Sequence, residues 1–222
     1  MRGGHEDNYY YQLAHWIRKY KGVRPLPRRP GPGNIRIDGI FNDWSDIQPE
    51  YRDARGDITH RDHKGFGEIH YTNTTGRNDF ITAKASFDGD NLFFYMETAD
   101  PITPHNDPYW MLLLMDADRN GTTGWLGYDF IINLEIMDSG RTTVKMRRND
   151  EWHTIGDAHY AVQGNRMELS VPRKLVNQSE STPCFDFHWA DNIQSFDSVA
   201  ELGLNGDHAP NRRWNYRFQV AD

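Results

Sequence analysis

The sequence predicts an all-β protein, an antiparallel β-sandwich of jelly-roll-like kind, preceded by one N-terminal helix and a proline-rich linker. Three observations predict it. From Asn34 onward the chain breaks into about ten short apolar or alternating runs, separated by Gly, Asn and Asp turns and not by helical patterns. The 222 residues are 13% aromatic, with seven Trp and eleven Tyr, ample for a packed core. The two most apolar runs, Met111–Met115 and Tyr128–Ile136, flank an acidic, glycine-bearing loop and read as a central hairpin.

Residues 6–21 carry Tyr9, Leu13, Trp16, Ile17 and Tyr20 on one helical stripe, and Gly22 suits the stop. That stripe needs a surface, either the following domain or a domain upstream. Pro25, Pro27, Pro30 and Pro32 hold the next segment extended as a semi-rigid spacer. The chain thus divides into residues 1–33, helix and linker, and a sandwich over 34–222. Ile35, Ile37 and Ile40 suggest a short first strand, and residues 50–79 read as polar loop. Phe80–Phe87 and Leu92–Thr98 form a hairpin about Asp88-Gly89-Asp90-Asn91. After the central hairpin come strands at Thr142–Arg147, Trp152–Ile155, Tyr160–Gln163, Met167–Val171, Phe185–Trp189 and Trp214–Val220.

The strongest chemical signal lies in the central loop. Asp116, Asp118 and Asn120 alternate and Gly121 follows, the opening of a calcium loop in which a tight turn lets oxygens converge. The twelfth position is Gly127, where an EF-hand has a bidentate Glu, so this is no EF-hand. Asp129 offers a further oxygen. The expected cofactor is a structural calcium on Asp116, Asp118, Asn120 and Asp129; the competing reading is a solvated turn. Asp57, His60, Asp62 and His63 form a second polar cluster, read as a loop, with Asp57 able to serve calcium.

A net charge of −7 argues against a nucleic-acid partner. No apolar run approaches the ~18 residues of a membrane span. Met1-Arg2-Gly3-Gly4 leads into polar sequence and not into an apolar signal core. The single Cys184, beside Phe185, reads as a small apolar residue. No Gly-x-Ser-x-Gly, P-loop or Gly-x-Gly-x-x-Gly is present, and no carboxylate pair stands out for acid–base work.

The order of motifs resembles family 9 carbohydrate-binding modules. Ile37-Asp38-Gly39 with Asp43-Trp44, then Asp90-Asn91-Leu92-Phe93-Phe94-Tyr95, Asp100-Pro101, and Asp107-Pro108-Tyr109-Trp110 before the strand ending at Asp116, carry the resemblance over roughly residues 34–220. It implies a calcium-bearing sandwich that stacks sugar on Trp rings. Trp110 and Trp125 would stack, and His188 and Asp191 would bond hydroxyls. No Trp stands near Asp207-His208, where the family's second clamp residue falls. The helix and linker resemble the junction behind a catalytic domain of a modular bacterial glycoside hydrolase. The resemblance therefore implies a non-catalytic accessory module with oligo- or polysaccharide and an upstream catalytic domain as partners, placed outside the cell, in the periplasm or on the cell surface. The alternatives are a domain that only braces its neighbour, a haem-binding electron-transfer sandwich on Met and His, and a glycosidase using a carboxylate pair.

Overall fold

The computed structural model describes residues 8–22, 30–58, 60–68, 70–106, 108–211 and 214–220. The expectations on residues 6 and 7, on linker residues 25–29 and on Asp107 lie outside these. A helix, α1 (Asn8–Lys21), ends at Gly22, whose φ of +83° is the left-handed stop glycine tolerates best. Among the described residues thirteen strands follow: β1 (Tyr51–Arg52), β2 (Arg61–Lys64), β3 (His70–Asn73), β4 (Phe80–Phe87), β5 (Asn91–Thr98), β6 (Leu112–Asp116), β7 (Phe130–Asp138), β8 (Arg141–Arg148), β9 (Glu151–Gln163), β10 (Arg166–Pro172), β11 (Cys184–Asp191), β12 (Asp207–Ala209) and β13 (Tyr216–Gln219). A four-residue helix, α2 (Glu201–Leu204), precedes β12.

Among the described residues the named strands pair antiparallel, in the order β1-β4-β5-β10-β9-β8-β7-β6-β11-β12, with β13 also on β11 and β2–β3 apart as a hairpin. The expected central hairpin is present, β6 pairing β7 with Leu113 opposite Ile132. The sheet folds back on itself into two facing layers. Phe94 of β5 meets Phe185 and Phe187 of β11 at 5.7 and 5.6 Å between ring centres, although the two strands are not neighbours in the sheet. Tyr51 of β1 packs on Phe187 and Tyr216, and its hydroxyl donates to the Arg217 carbonyl at 2.9 Å, so the edge strands nearly close the sheet. The buried aromatics between the layers remove their apolar area from water, at about 25 cal/mol per Å².

Several elements differ from the sequence reading for local reasons. Ile35–Ile40 is not a strand, because the Asp38 and Gly39 amides donate to the Glu168 carboxylate at 2.8 and 2.7 Å instead of to a ladder. Trp44 Nε1 donates to the other Glu168 oxygen at 2.9 Å. The polar stretch 50–79 contains β1, β2 and β3; its residues are polar because the β2–β3 hairpin stands largely in solvent. The two strands expected at Trp152–Ile155 and Tyr160–Gln163 are one, β9, through Gly156, where a Cβ would lie 2.5 Å from Leu175 Cδ1. In β7 the alternation breaks at Asn133, which adopts φ +74° and donates from Nδ2 to the Trp110 and Met111 carbonyls at 2.9 and 3.0 Å.

Glu168 is fully buried and anchors three donors. Stranding buried donors costs about 1–3 kcal/mol each before relaxation. Glu168→Ala is therefore expected to lose about 3 kcal/mol in urea unfolding, and Glu168→Gln roughly half of that, since the amide keeps one acceptor oxygen.

Candidate functional site

The β6–β7 loop brings Asp116, Asp118 and Asp129 together, with one carboxylate oxygen from each within 4.8 Å of the others. Asp116 closes β6 and Asp129 stands just before β7, so the hairpin register itself sets two of the three. The loop is wound by its own amides. Asn120 N donates to Asp116 Oδ1 at 3.1 Å and Asp118 Oδ1 at 2.8 Å, and Ala117 N donates to Asp129 Oδ2 at 3.0 Å. Asn120 turns its own side-chain oxygen to Thr122, accepting from N at 3.1 Å and Oγ1 at 2.7 Å. Of the four residues expected to hold calcium, three carboxylates converge and the amide serves the turn. Gly127 is held at φ +103°, and a Cβ there would lie 3.0 Å from Gly121 Cα and 3.5 Å from Asp116 Oδ2. The position that carries the bidentate Glu of an EF-hand is thus filled by backbone here.

Burial, aided by the Asp129 and Asp118 charges, pushes the Asp116 carboxyl up to about 6 against the Asn120 and Arg119 amides. Asp129 is raised mainly by burial as well. Three hard oxygens of like charge, two of them partly desolvated, suit a divalent cation such as calcium.

The residues expected to meet sugar lie inside. Trp110 is 4% exposed and gives its Nε1–H to the Thr103 carbonyl at 2.8 Å. Trp125 is 7% exposed, bonds the Phe196 carbonyl at 2.7 Å and meets the Phe196 ring edge-on at 4.9 Å. His188 and Asp191 are fully buried. Asp191 accepts from Arg77 Nε at 2.6 Å and the Met111 amide at 2.8 Å, fixing the start of β6. His188 Nε2 meets His208 Nδ1 at 3.1 Å, and its Nδ1 bonds the Trp214 carbonyl at 3.0 Å.

Sequence reasoning missed a second convergence, at the other end of β6 and β11. Asp53, just after β1, and Asp57 in the following turn meet Asp207 of β12, one oxygen from each within 4.8 Å of the others. Asp207 accepts from the Phe80 amide at 2.6 Å and from the His208 amide at 2.8 Å, joining β12 to β4. Asn211 Nδ2 donates to Asp53 Oδ1 at 3.2 Å and to Asp57 Oδ2 at 2.5 Å. The local cluster read from Asp57, His60, Asp62 and His63 is thereby split: Asp57 turns to Asp207, while Asp62 pairs with His70 across the β2–β3 hairpin at 2.5 Å. No local spacing announces residues 150 positions apart in the chain.

Burial first and the Asp57 charge second raise Asp53 to about 7. Burial, then Asp57 and Asp53, raises Asp207 to about 8. In the metal-free chain these groups take up protons on folding, so their contribution to stability falls as pH rises from about 4 and is lost by about 7 and 8. His188 and His208 act oppositely: burial holds them at about 3 and about 4, so stability is lost as pH falls below their ordinary 6.5. Between about pH 4 and 6.5 the carboxyl and histidine effects oppose each other, and above that only the carboxyl effect remains, so in chelator the thermal midpoint is expected to fall from about pH 6.5 to 8; a midpoint climbing steadily over that range contradicts these assignments. Comparison with protein-family models, curated proteins and solved structures finds no match for this chain.

Proposed function

We propose that the chain is a non-catalytic accessory module of a polysaccharide-degrading protein, a calcium-stabilised sandwich that braces a neighbouring domain. The observation that carries the bracing role is the α1 surface. Leu13, Trp16, Ile17 and Tyr20 are 59%, 54%, 47% and 89% exposed along one side of the helix. Tyr10, by contrast, meets Trp214 of the sandwich, 5.0 Å between ring centres. A helix that meets the sandwich at Tyr10 and leaves an apolar stripe exposed along its length is suited to lie against a second body. The occupant is an upstream catalytic domain, whose junction the helix and proline-rich linker resemble. The order of sequence motifs supports the carbohydrate setting.

Non-catalytic character is supported by how the polar residues are used. Glu168, Asp191 and Asp207 are spent on backbone amides and strand ends. The cavity beside Asp207 has room for about 20 Å³, enough for one water or ion and far too small for a sugar ring. A second reading, direct sugar binding, is favoured by the Tyr10–Trp214 pair, where Trp214 is 39% exposed and Tyr10 54%. Indole and phenol faces of that kind stack on the C–H face of a sugar.

Two measurements separate these readings. The paired substitution Leu13→Lys, Trp16→Lys is expected to remove hydrophobic-dye binding and leave the sandwich's thermal midpoint within about 1 °C, because surface changes away from packed contacts cost within about 0.5 kcal/mol. A midpoint lowered as far as by a core substitution would place that stripe on the sandwich and end the bracing role. Retention of the full chain in polysaccharide affinity gels, lost in Trp214→Ala, would establish direct binding. Turnover of aryl glycosides, abolished by one Asp or Glu change, would overturn the non-catalytic reading.

A further inference from the structure

We propose that Asp53, Asp57 and Asp207, with Tyr216 beside them, form a second divalent-cation site, at the opposite end of the sandwich from the β6–β7 loop. It is independent of the accessory-module reading and of the loop site.

The first support is the donor set. Asp207 is 4% exposed, and each of its oxygens takes one backbone amide, leaving a lone pair on each. All three groups offer oxygen, the ligand of a hard cation. Two oxygens that share one calcium at about 2.4 Å stand at most about 4.8 Å apart, and the three carboxylates meet that limit.

The second support comes from atoms that lack a partner. Asp53 Oδ2, Asp57 Oδ1 and Tyr216 Oη are shut off from solvent and make no hydrogen bond. Buried acceptors are rarely left so, and three such oxygens in one place imply an absent partner. Tyr216 lies near them: its ring packs 5.1 Å from that of Tyr51, two residues before Asp53. Among the described residues, no Lys or Arg forms an ion pair with any of the three carboxylates. Arg61 lines the adjoining cavity but donates to the Asp57 backbone carbonyl at 2.7 Å. The space beside Asp57, Asp207 and Asn211, about 20 Å³, admits one ion.

The backbone around the site is fitted closely. Gly206, immediately before Asp207, has φ +61°, and a Cβ there would fall 1.8 Å from the Asp191 carbonyl oxygen. The Gly206 amide donates to Thr75 Oγ1 at 2.7 Å, and Asn73 Nδ2 reaches the Gly206 carbonyl at 3.3 Å. The turn that delivers Asp207 is thus clamped from the β2–β3 side.

Calcium chloride is the probe, with the full chain in equilibrium dialysis and calorimetry at neutral pH. Wild type is expected to hold two ions. The pair Asp118→Ala, Asp129→Asn removes the loop site and is expected to leave one ion. Adding Asp57→Asn is expected to remove that ion. Removing one of three crowded like charges does not strand a cation, so this variant is expected to keep its near-ultraviolet circular dichroism in chelator. A loop variant that binds no calcium overturns the proposal, as does an ion that persists unchanged after Asp57→Asn.

Discussion

The strand ends of this sandwich are set by buried carboxylates. Asp116 ends β6, Asp191 ends β11 and Asp207 begins β12, and each is at most 5% exposed. Each accepts amides from a neighbouring segment: Asn120 for Asp116, Met111 for Asp191, and Phe80 for Asp207. A carboxylate can gather several N–H donors where a ladder runs out, which lets strands stop and turn without orphaned amides. The cost is negative charge in a poorly solvated place. At Asp191 the Arg77 guanidinium offsets it at 2.6 Å. At Asp116 and Asp207 neighbouring carboxylates add to it. The proposed divalent cations would offset it at both.

That constraint explains how the sandwich is tied together. Asp207 links β12 to β4 through the Phe80 amide, next to where Tyr51 bridges β1 to β13. The loop acids hold the β6–β7 turn, and Gln178 Nε2 joins it to the far connection through the Ala117 carbonyl at 2.9 Å. Glu168 does the same work for the segment at Asp38–Trp44, which packs across β10 without joining the sheet. Four buried carboxylates, all far apart in sequence, thus fix the positions of segments that hydrophobic burial alone leaves free to slide.

The fold class was legible because strands announce themselves locally. The run Leu112–Leu114, the alternation of Phe80–Phe87 and the Asp88–Asn91 turn needed no tertiary information. Short, exposed strands were lost and an interrupted one was split: β2 and β3 have almost no apolar face, and β9 carries Gly156 for the sake of Leu175. The Asp116 loop was legible because its ligand candidates fall within fourteen residues. The Asp53–Asp57–Asp207 group was not, because sheet closure assembles it. The resemblance set Trp110 and Trp125 against sugar; their indole N–H groups find carbonyls inside, which is how a buried Trp is satisfied.

The central claim is that bound cations offset this buried charge. It is tested most directly by thermal unfolding of the full chain at pH 7.5, once in chelator and once in calcium. A ligand held only by the native state raises the midpoint by mass action, about 2.7 kcal/mol at a hundred times its dissociation constant. The account predicts a midpoint several degrees higher in calcium, with the gain shrinking toward pH 5 as the carboxyls take up protons. Coincident unfolding curves in chelator and calcium would contradict it.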